Sequence, residues 1–523
     1  MENLFTKRVS TKNINRKAIK MKLIINGNIS PYYVQTLCLI FFPGSKFSEN
    51  EEITDDIPVV TVNFTESEDS LSAWAQIKMG EAVATGECSE LKKKKKTFVD
   101  LSKVVVGKAI FEAGTKFFAH IPPWGILTGI RPSKIARKIY DEGYDSAQIR
   151  KILRNEYLLS TKKAALLTNI TINEAKIIEA MPKDSCSLYI SIPFCPTRCA
   201  YCSFISFATK RLLSMIPEYL DRLLLDLDGV FEVIRERGLR LSTVYIGGGT
   251  PTTLSAAQLD ILLSKIEENT DVSLLEEYTV EAGRPDTIDA EKIRVIKEHG
   301  VTRISINPQT LNDTVLEGIG RRHTAADFFR AYEIAREGGI KYINTDLIAG
   351  LPGEGYRSFS RSVDEVLALR PENFTVHTFC VKKAADVAKI GADVYSAPGG
   401  DVRKSVDYSQ LKAKSSGYLP YYLYKQKNTV GNLENVGFAL PECEGKYNIY
   451  IMEELHTIFA VGAGSVTKMV DREHNMIERY FMPKYPYEYL SPENSETIRR
   501  EYFDKIRDFY ARLDAARASD ANK

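Results

Sequence analysis

The sequence predicts an α/β protein, an incomplete (β/α)6 barrel or an open doubly wound sheet, with an α+β domain before it and a mixed domain after it. Two observations carry this reading. From residue 187 onward, short β-branched runs begin near Leu188, Thr243, Tyr278, Thr302, Tyr342 and Phe374, with amphipathic helical patterns in the intervals. Strands that alternate with helices imply parallel βαβ units with right-handed crossovers. The chain's 523 residues also exceed what one hydrophobic core supports, so several domains are expected.

Residues 1–20 carry Lys7, Arg8, Lys12, Arg16, Lys17 and Lys20 against Glu2 alone, without an apolar stretch. This is the composition of a disordered basic tail, not of a secretory signal. Met21 opens the first strand-like run, so either Met1 or Met21 serves as a start. Region 21–115 reads as a small α+β domain, with a strand-like run Val59–Phe64 and the alternation Ala73, Ala75, Ile77. Its lysine run, Lys92 to Lys96, reads as a solvated loop. Region 116–182 turns helical, because Ile135, Ile139, Ile149, Ile152 and Leu153 recur at three- and four-residue steps. Region 183–385 holds the six strand–helix units, with helices over Tyr219–Ile234, Ala257–Ile266, Ala290–Glu298, Ala325–Glu337 and Phe359–Leu369. Region 386–523 is expected to be a C-terminal domain that covers a substrate.

Composition excludes several classes of function. Lys plus Arg number 70 and Asp plus Glu 68, a balance unlike that of a protein coating nucleic acid. Apolar residues reach 44%, enough to rule out disorder as the main state, yet no run is long enough to span a membrane. Of eight cysteines, three fall between 195 and 202 while the rest are scattered. That is not a disulfide framework; it suits a reduced, cytoplasmic chain with one metal cluster.

In sheets of parallel strands, function gathers at the C-terminal strand ends. The first strand leads into Cys195-Pro-Thr-Arg-Cys199-Ala-Tyr-Cys202. Three thiolates on one short loop suit an iron–sulfur cluster. A structural zinc wants a fourth ligand and paired CxxC elements, and no Cys or His lies close by to complete one. The spacing signals a 4Fe–4S cluster with one iron left open. The second strand ends in Gly247-Gly248-Gly249-Thr250, where the backbone can approach a ligand closely. Later strands end near Glu281 and Arg284, near Asn307 and Gln309, and near Asp346, with Arg321, Arg322 and His323 between the last two. Each polar residue could instead cap the next helix; their joint placement at one rim beside a cysteine loop favours a site.

Together these residues resemble the radical S-adenosylmethionine (SAM) superfamily, specifically the oxygen-independent coproporphyrinogen III oxidase family. The segment Pro123–Pro132 and the N-terminal domain look most like its HemZ-type branch. The resemblance implies the incomplete barrel, a 4Fe–4S cluster on Cys195, Cys199 and Cys202, and S-adenosyl-L-methionine bound to the open iron. By position, Tyr189, Gly248 and Glu281 resemble contacts to that cofactor, and Tyr201 an aromatic that stacks on its adenine. Gly249, Thr250, Gln309, Arg321 and Asp346 match the site of a second S-adenosylmethionine. The implied activity is oxidative decarboxylation of coproporphyrinogen III, or a related tetrapyrrole, with an electron donor such as a flavodoxin or ferredoxin. Arg284, Arg322 and Lys382 are candidate partners for its carboxylates. Two departures open other readings. Phe204 stands where the oxidase proper has a further cysteine, as in the related haem-chaperone branch, and the oxidase's Tyr-rich entry segment is missing. A haem-binding protein, with His323, His377 or His456 as axial ligand, and a radical enzyme for another substrate are the alternatives.

Overall fold

The computed structural model describes residues 20–48, 54–92, 98–202, 206–380, 400–426, 429–492 and 495–521. The basic tail before residue 20, Lys93 to Lys96, Phe204 and Lys382 lie outside the described residues. The chain divides into two compact units. One runs to Asn173 and takes in Leu423–Glu434; the other holds the described parts of Glu174–Lys389, with Asp401–Tyr422 and Asn435–Lys523.

The first unit begins with β1 (Lys20–Asn26), α1 (Pro31–Phe41), β2 (Lys46–Phe47), β3 (Val59–Glu66), β4 (Ser70–Met79), β5 (Ala82–Leu91) and α2 (Leu101–Phe118). Its sheet has the order β2-β1-β3-β4-β5, parallel over the first three strands and antiparallel over the rest. Ala73, Ala75 and Ile77 of β4 are buried, as the period-two alternation requires of a sheet covered on one face. The cover is α2, which packs on β4 and β5 and buries Val104, Val105, Ala109, Ile110 and Ala113. Three helices follow, α3 (Ser133–Asp141), α4 (Ser146–Tyr157) and α5 (Thr161–Glu179). A capping box starts α4: the Asp145 carboxylate accepts from the N–H groups of Ala147 and Gln148, and the Gln148 side chain returns to the Asp145 N–H.

The segment Pro123–Pro132 is tied down by buried charge. Lys163 of α5 pairs with Glu434, and the Trp124 indole donates to the other Glu434 oxygen at 2.7 Å. Lys425 donates to the Leu127 carbonyl at 3.2 Å and lies over the Trp124 ring. Burial pushes the Lys425 ammonium down to about 8.

In the second unit the strands and helices alternate. They are β6 (Ser185–Ile192), α6 (Lys210–Leu213), α7 (Ile216–Glu236), β7 (Arg240–Gly248), α8 (Ala256–Glu267), β8 (Glu277–Glu281), α9 (Ala290–Glu298) and β9 (Arg303–Ser305). Then come α10 (Asp313–Gly318), α11 (Ala325–Glu337), β10 (Tyr342–Ala349), α12 (Tyr356–Ala368), β11 (Asn373–Thr378) and α13 (Asp401–Ser415). Six parallel strands, β6 to β11, stand side by side in chain order, the six βα units of an incomplete barrel. Their outer faces are apolar: Leu188, Ile190, Val244, Ile246, Val280, Ile304, Ile343 and Leu347 are fully buried.

The sheet does not end there. Beyond β11 lie β12 (Leu419–Lys425) and β13 (Glu434–Ala439), followed in the chain by α14 (Lys446–Glu453). On the other side of β6 lie β14 (Thr457–Val461), β15 (Val466–Asp471) and β16 (Met476–Phe481), and α15 (Pro486–Tyr489) and α16 (Ser495–Ala521) complete the chain. The full order is β12-β13-β11-β10-β9-β8-β7-β6-β14-β15-β16, with β14 parallel to β6. The edge strands β12 and β16 are not partners, so the sheet stays open. Strands from beyond residue 386 thus extend both edges of the barrel sheet.

Candidate active site

Strand register sets the inner face of the barrel. Tyr189 stands opposite Tyr245, Tyr245 opposite Thr279, Glu281 opposite Ser305, Ser305 opposite Asn344, and Asp346 opposite Thr375. Paired residues share a face, as do residues two apart. Tyr189, Tyr245, Glu281, Ser305, Asp346 and His377 therefore line one surface, and it is polar where the outer one is apolar. Tyr245 donates to Glu281 at 3.1 Å, and His377 lies 3.4 Å from the Asp346 carboxylate. Asp346 sits inside β10 and caps no helix, which excludes the capping alternative for it.

Glu281 is raised to about 7. Burial is the main cause; the Tyr245 hydroxyl and the Gly248 N–H oppose it, while the Asp346 charge adds to it. Behind it, the rings of Tyr189, Tyr245 and Tyr447 stack, with Tyr245 and Tyr447 4.5 Å apart. Sequence reasoning missed Tyr245 and Tyr447. Tyr245 was within reach, because it precedes the glycine run on the strand beside Tyr189.

The cysteine loop is braced from several sides. Its start is a short parallel bridge, Phe194 with Phe207, and the Cys195 N–H donates to the Phe207 carbonyl at 3.0 Å. The Cys195 sulfur is 3.3 Å from the Thr250 hydroxyl, and burial holds its thiol above the usual range. Thr250, 1% exposed, thus faces Cys195. The glycines before it are required: Gly248 has φ +108°, and a Cβ on Gly249 would meet the Phe194 carbonyl oxygen at 2.6 Å. Ala200 N–H donates to the Ile319 carbonyl at 2.9 Å, fixing the middle of the loop.

Arg284 supplies the remaining brace. It is 3% exposed, makes a bidentate pair with Asp286, donates to the Thr197 hydroxyl at 2.7 Å and reaches the Cys199 sulfur at 3.8 Å. This corrects its assignment as a substrate-carboxylate partner, because its donors are committed to the loop. Removing a group that orients a metal ligand costs about 10–100-fold in metal affinity or activity. Arg284→Met is therefore expected to lower iron retention during gel filtration by about that factor, with the fold intact by circular dichroism. Iron retention equal to the parent's would contradict the bracing role.

Beyond the loop, Arg321 is buried and donates to the carbonyls of Gly283 and Asn307 and to the Tyr201 hydroxyl, at 3.0, 2.9 and 2.9 Å. Gln309 adopts φ +68°, a strained backbone for this residue, with its N–H on the Asp346 carbonyl at 3.0 Å. Asn307 Oδ1, Gln309 Oε1 and Arg321 Nε are buried and have no hydrogen-bond partner. Each such atom costs about 1–3 kcal/mol when left unmet. Three of them at one rim form a cradle for a polar ligand, and a nucleoside with an amino-acid tail fits their mix of acceptors and donors.

The histidines divide. His456 is fully engaged, Nδ1 with Ser185 at 2.8 Å and Nε2 with Ser187 at 2.7 Å, which excludes it as an axial haem ligand. His323 is buried and pushed down to about 4 by burial and by Arg321, so it is a neutral core group. His377 alone among the candidates sits half-exposed on the inner face. Arg322 is exposed at the loop.

Among the described residues, the group of three donor atoms lying within 4.8 Å of one another is Asp471, Glu473 and His474, remote in sequence from the loop.

The profile of the radical SAM superfamily matches residues 189–366. The chain is 40% identical over 369 residues to the oxygen-independent coproporphyrinogen-III oxidase-like protein HemZ of Bacillus subtilis, covering 70% of this chain and 74% of that protein. It is 39% identical to the heme chaperone HemW of the same organism, over 38% of this chain and 51% of that one. Among solved structures, coproporphyrinogen III oxidase (HemN) from Escherichia coli superposes with a TM-score of 0.45 at 21% identity, covering 59% of this chain and 74% of that one.

Proposed function

Because this chain belongs to the radical SAM superfamily, in its HemZ-type, coproporphyrinogen-oxidase-like branch, we propose that it oxidatively decarboxylates two propionates of coproporphyrinogen III to vinyl groups, giving protoporphyrinogen IX. The observation that carries this is the cysteine loop at the rim of a polar inner face, with Glu281, Asp346 and His377 contributed by three strands. Cys195, Cys199 and Cys202 would hold a 4Fe–4S cluster. When bound, that cluster supplies the electron that cleaves S-adenosylmethionine to methionine and a 5′-deoxyadenosyl radical. Each propionate would then lose a β-hydrogen to the 5′-deoxyadenosyl radical, CO₂, and one electron to an external one-electron acceptor.

The chain's own residues orient and protect. Tyr189, Gly248 and Glu281 would position the cluster-bound cofactor, and Tyr201 its adenine. Gly249, Thr250, Gln309, Arg321 and Asp346 would serve a second S-adenosylmethionine. The stacked tyrosines behind Glu281 exclude water from the reacting side. The cytoplasm is the compartment proposed; among the described residues no helix is long and apolar enough to cross a membrane.

Glu281 gives the pH signature. With its proton lost near 7, it is mostly neutral at pH 6 and mostly ionised at pH 8. The carboxylate accepts stronger hydrogen bonds than the acid, so S-adenosylmethionine affinity should rise up to about tenfold across that interval, the ratio of ionised fractions. Glu281→Gln should flatten the profile, and an equally steep profile in that variant would remove Glu281 from the contact.

A second reading, a haem-binding trafficking protein, is favoured by the likeness to the heme chaperone, with His377 as the accessible histidine. One anaerobic assay with reconstituted cluster, reductant and coproporphyrinogen III separates the two. Protoporphyrinogen and CO₂ support the proposal; stable haem binding without either product supports the second reading.

A further inference from the structure

One aromatic ring inside the barrel does not come from the six βα units. Helix α14 starts with Lys446, whose N–H donates to the Glu277 carboxylate at 2.6 Å and whose ammonium pairs with Glu276 at 2.7 Å. One turn on, the Tyr450 hydroxyl donates to the other Glu276 oxygen at 2.8 Å. Glu277 is the first residue of β8 and Glu281 its last. Helix α14 is therefore seated at the N-terminal ends of the barrel strands, away from the cysteine loop. Between its two anchors Tyr447 is buried, and its ring lies 4.5 Å from that of Tyr245 at 21° and 6.3 Å from that of Tyr189 at 15°.

Tyr245 is thus held at its ring and used at its hydroxyl, which donates to Glu281 at 3.1 Å. Gly247 leaves room for that contact: a Cβ there would lie 2.9 Å from Glu281 Oε2 and 2.9 Å from the Tyr245 ring. The ionisable groups facing Glu281 are Tyr189 from β6, Tyr245 from β7, Asp346 from β10, His377 from β11 and Tyr447 from α14. Among the described residues Tyr245 is the side chain that hydrogen-bonds it, while Asp346 makes its ionisation harder and His377 easier. A hydrogen bond donated to a carboxylate favours the ionised form and fixes the oxygen that accepts it. A ring stacked against a second ring cannot turn freely, so its hydroxyl stays aimed.

We propose that Tyr245 and Tyr447 are positioning residues of the site: Tyr447, carried in by α14 from outside the six βα units, locks the Tyr245 ring, and the Tyr245 hydroxyl orients the Glu281 carboxylate toward its ligand. The inference rests on the proposed function for the identity of that ligand, S-adenosylmethionine. The control of Glu281 by two tyrosines does not depend on it.

The test uses the full chain with reconstituted, unreduced cluster and reads two quantities against pH. One is the carboxylic-acid band in infrared difference spectra, assigned to Glu281 by its loss in Glu281→Gln. The other is S-adenosylmethionine affinity by calorimetry, without turnover. Tyr245→Phe keeps the ring and removes the donor. It should move the infrared midpoint from about 7 to about 8, a roughly tenfold change in proton affinity for one lost charge-assisted hydrogen bond. Affinity should fall about fivefold at pH 7, as the ionised fraction drops from about a half to about a tenth, and return to within about 10% of the parent's at pH 9. Damage to packing alone would not be recovered by alkali. Tyr447→Leu should move the midpoint in the same direction and Tyr447→Phe should not. Added to Tyr245→Phe, Tyr447→Leu should move it no further, because both act through one hydroxyl. A Tyr245→Phe midpoint equal to the parent's would overturn the proposal, and so would a Tyr447→Leu effect that persists in full without the hydroxyl. Infrared midpoints that move as expected, with cofactor affinity independent of pH in parent and variants, would uphold the positioning and remove Glu281 from the cofactor contact.

Discussion

Cys199→Ala is expected to leave a colourless chain, with iron falling from about four atoms per chain, the complement of a 4Fe–4S cluster, to near none, and with 5′-deoxyadenosine formation at background. The reason is geometric. The loop offers three sulfurs, and its backbone is pinned by Phe207, Ile319 and Arg284, so the two that remain cannot shift to take the place of the lost one. Arg284 would lose its contact with the Cys199 sulfur at 3.8 Å and keep only its brace on Thr197 and its pair with Asp286. Cys38→Ser and Cys443→Ser should keep full iron. Cys38 is buried in α1, where burial pushes its thiol up to about 12 and makes it inert. Anaerobic iron analysis and the visible spectrum check both halves. A parent that binds zinc and no iron would contradict the cluster assignment, as would iron loss in the Cys38 variant.

The second large effect concerns stability. Lys163→Met should destabilise the first unit by about 3–5 kcal/mol, the cost of leaving a buried charge without its partner. Glu434 is fully buried; it would keep its hydrogen bond from Trp124 and the neighbouring Lys425 but lose its ion pair with Lys163. For a unit of this size that shift lowers the melting temperature by roughly 6–20 °C. Adding Glu434→Gln should recover more than half of the loss, since the amide still accepts from the Trp124 indole and no longer carries a charge. Thermal melts of parent, single and double variants decide it. A single variant within about 1 kcal/mol of the parent would show that the pair contributes little.

The barrel was legible in the sequence because its signals are local. Helices at Ala290–Glu298 and Ala325–Glu337 stand where the apolar periodicity placed them, and each of the six strand starts lies within a few residues of its β-branched run. The cysteine loop and the glycine run were legible for the same reason. What stayed hidden depends on partners distant in the chain. Nothing near Thr457–Val461 says that it pairs with β6, which precedes it by most of the barrel. The same pairing brings His456 between Ser185 and Ser187, turning a candidate haem ligand into a satisfied core residue. Arg284 looked available to a substrate until Thr197 and Asp286 were found to occupy its donors. The strained backbone of Gln309 could not be read either, since glutamine carries no bias toward positive φ.

The most direct measurement of the whole proposal is isotopic. Coproporphyrinogen III deuterated at the propionate β-carbons should be supplied, anaerobically, to the reconstituted chain with S-adenosylmethionine and reductant. Deuterium should appear in 5′-deoxyadenosine, with two deoxyadenosines and two CO₂ formed per protoporphyrinogen. Unlabelled 5′-deoxyadenosine with the tetrapyrrole unchanged would contradict it, leaving the cluster chemistry in place and removing this substrate.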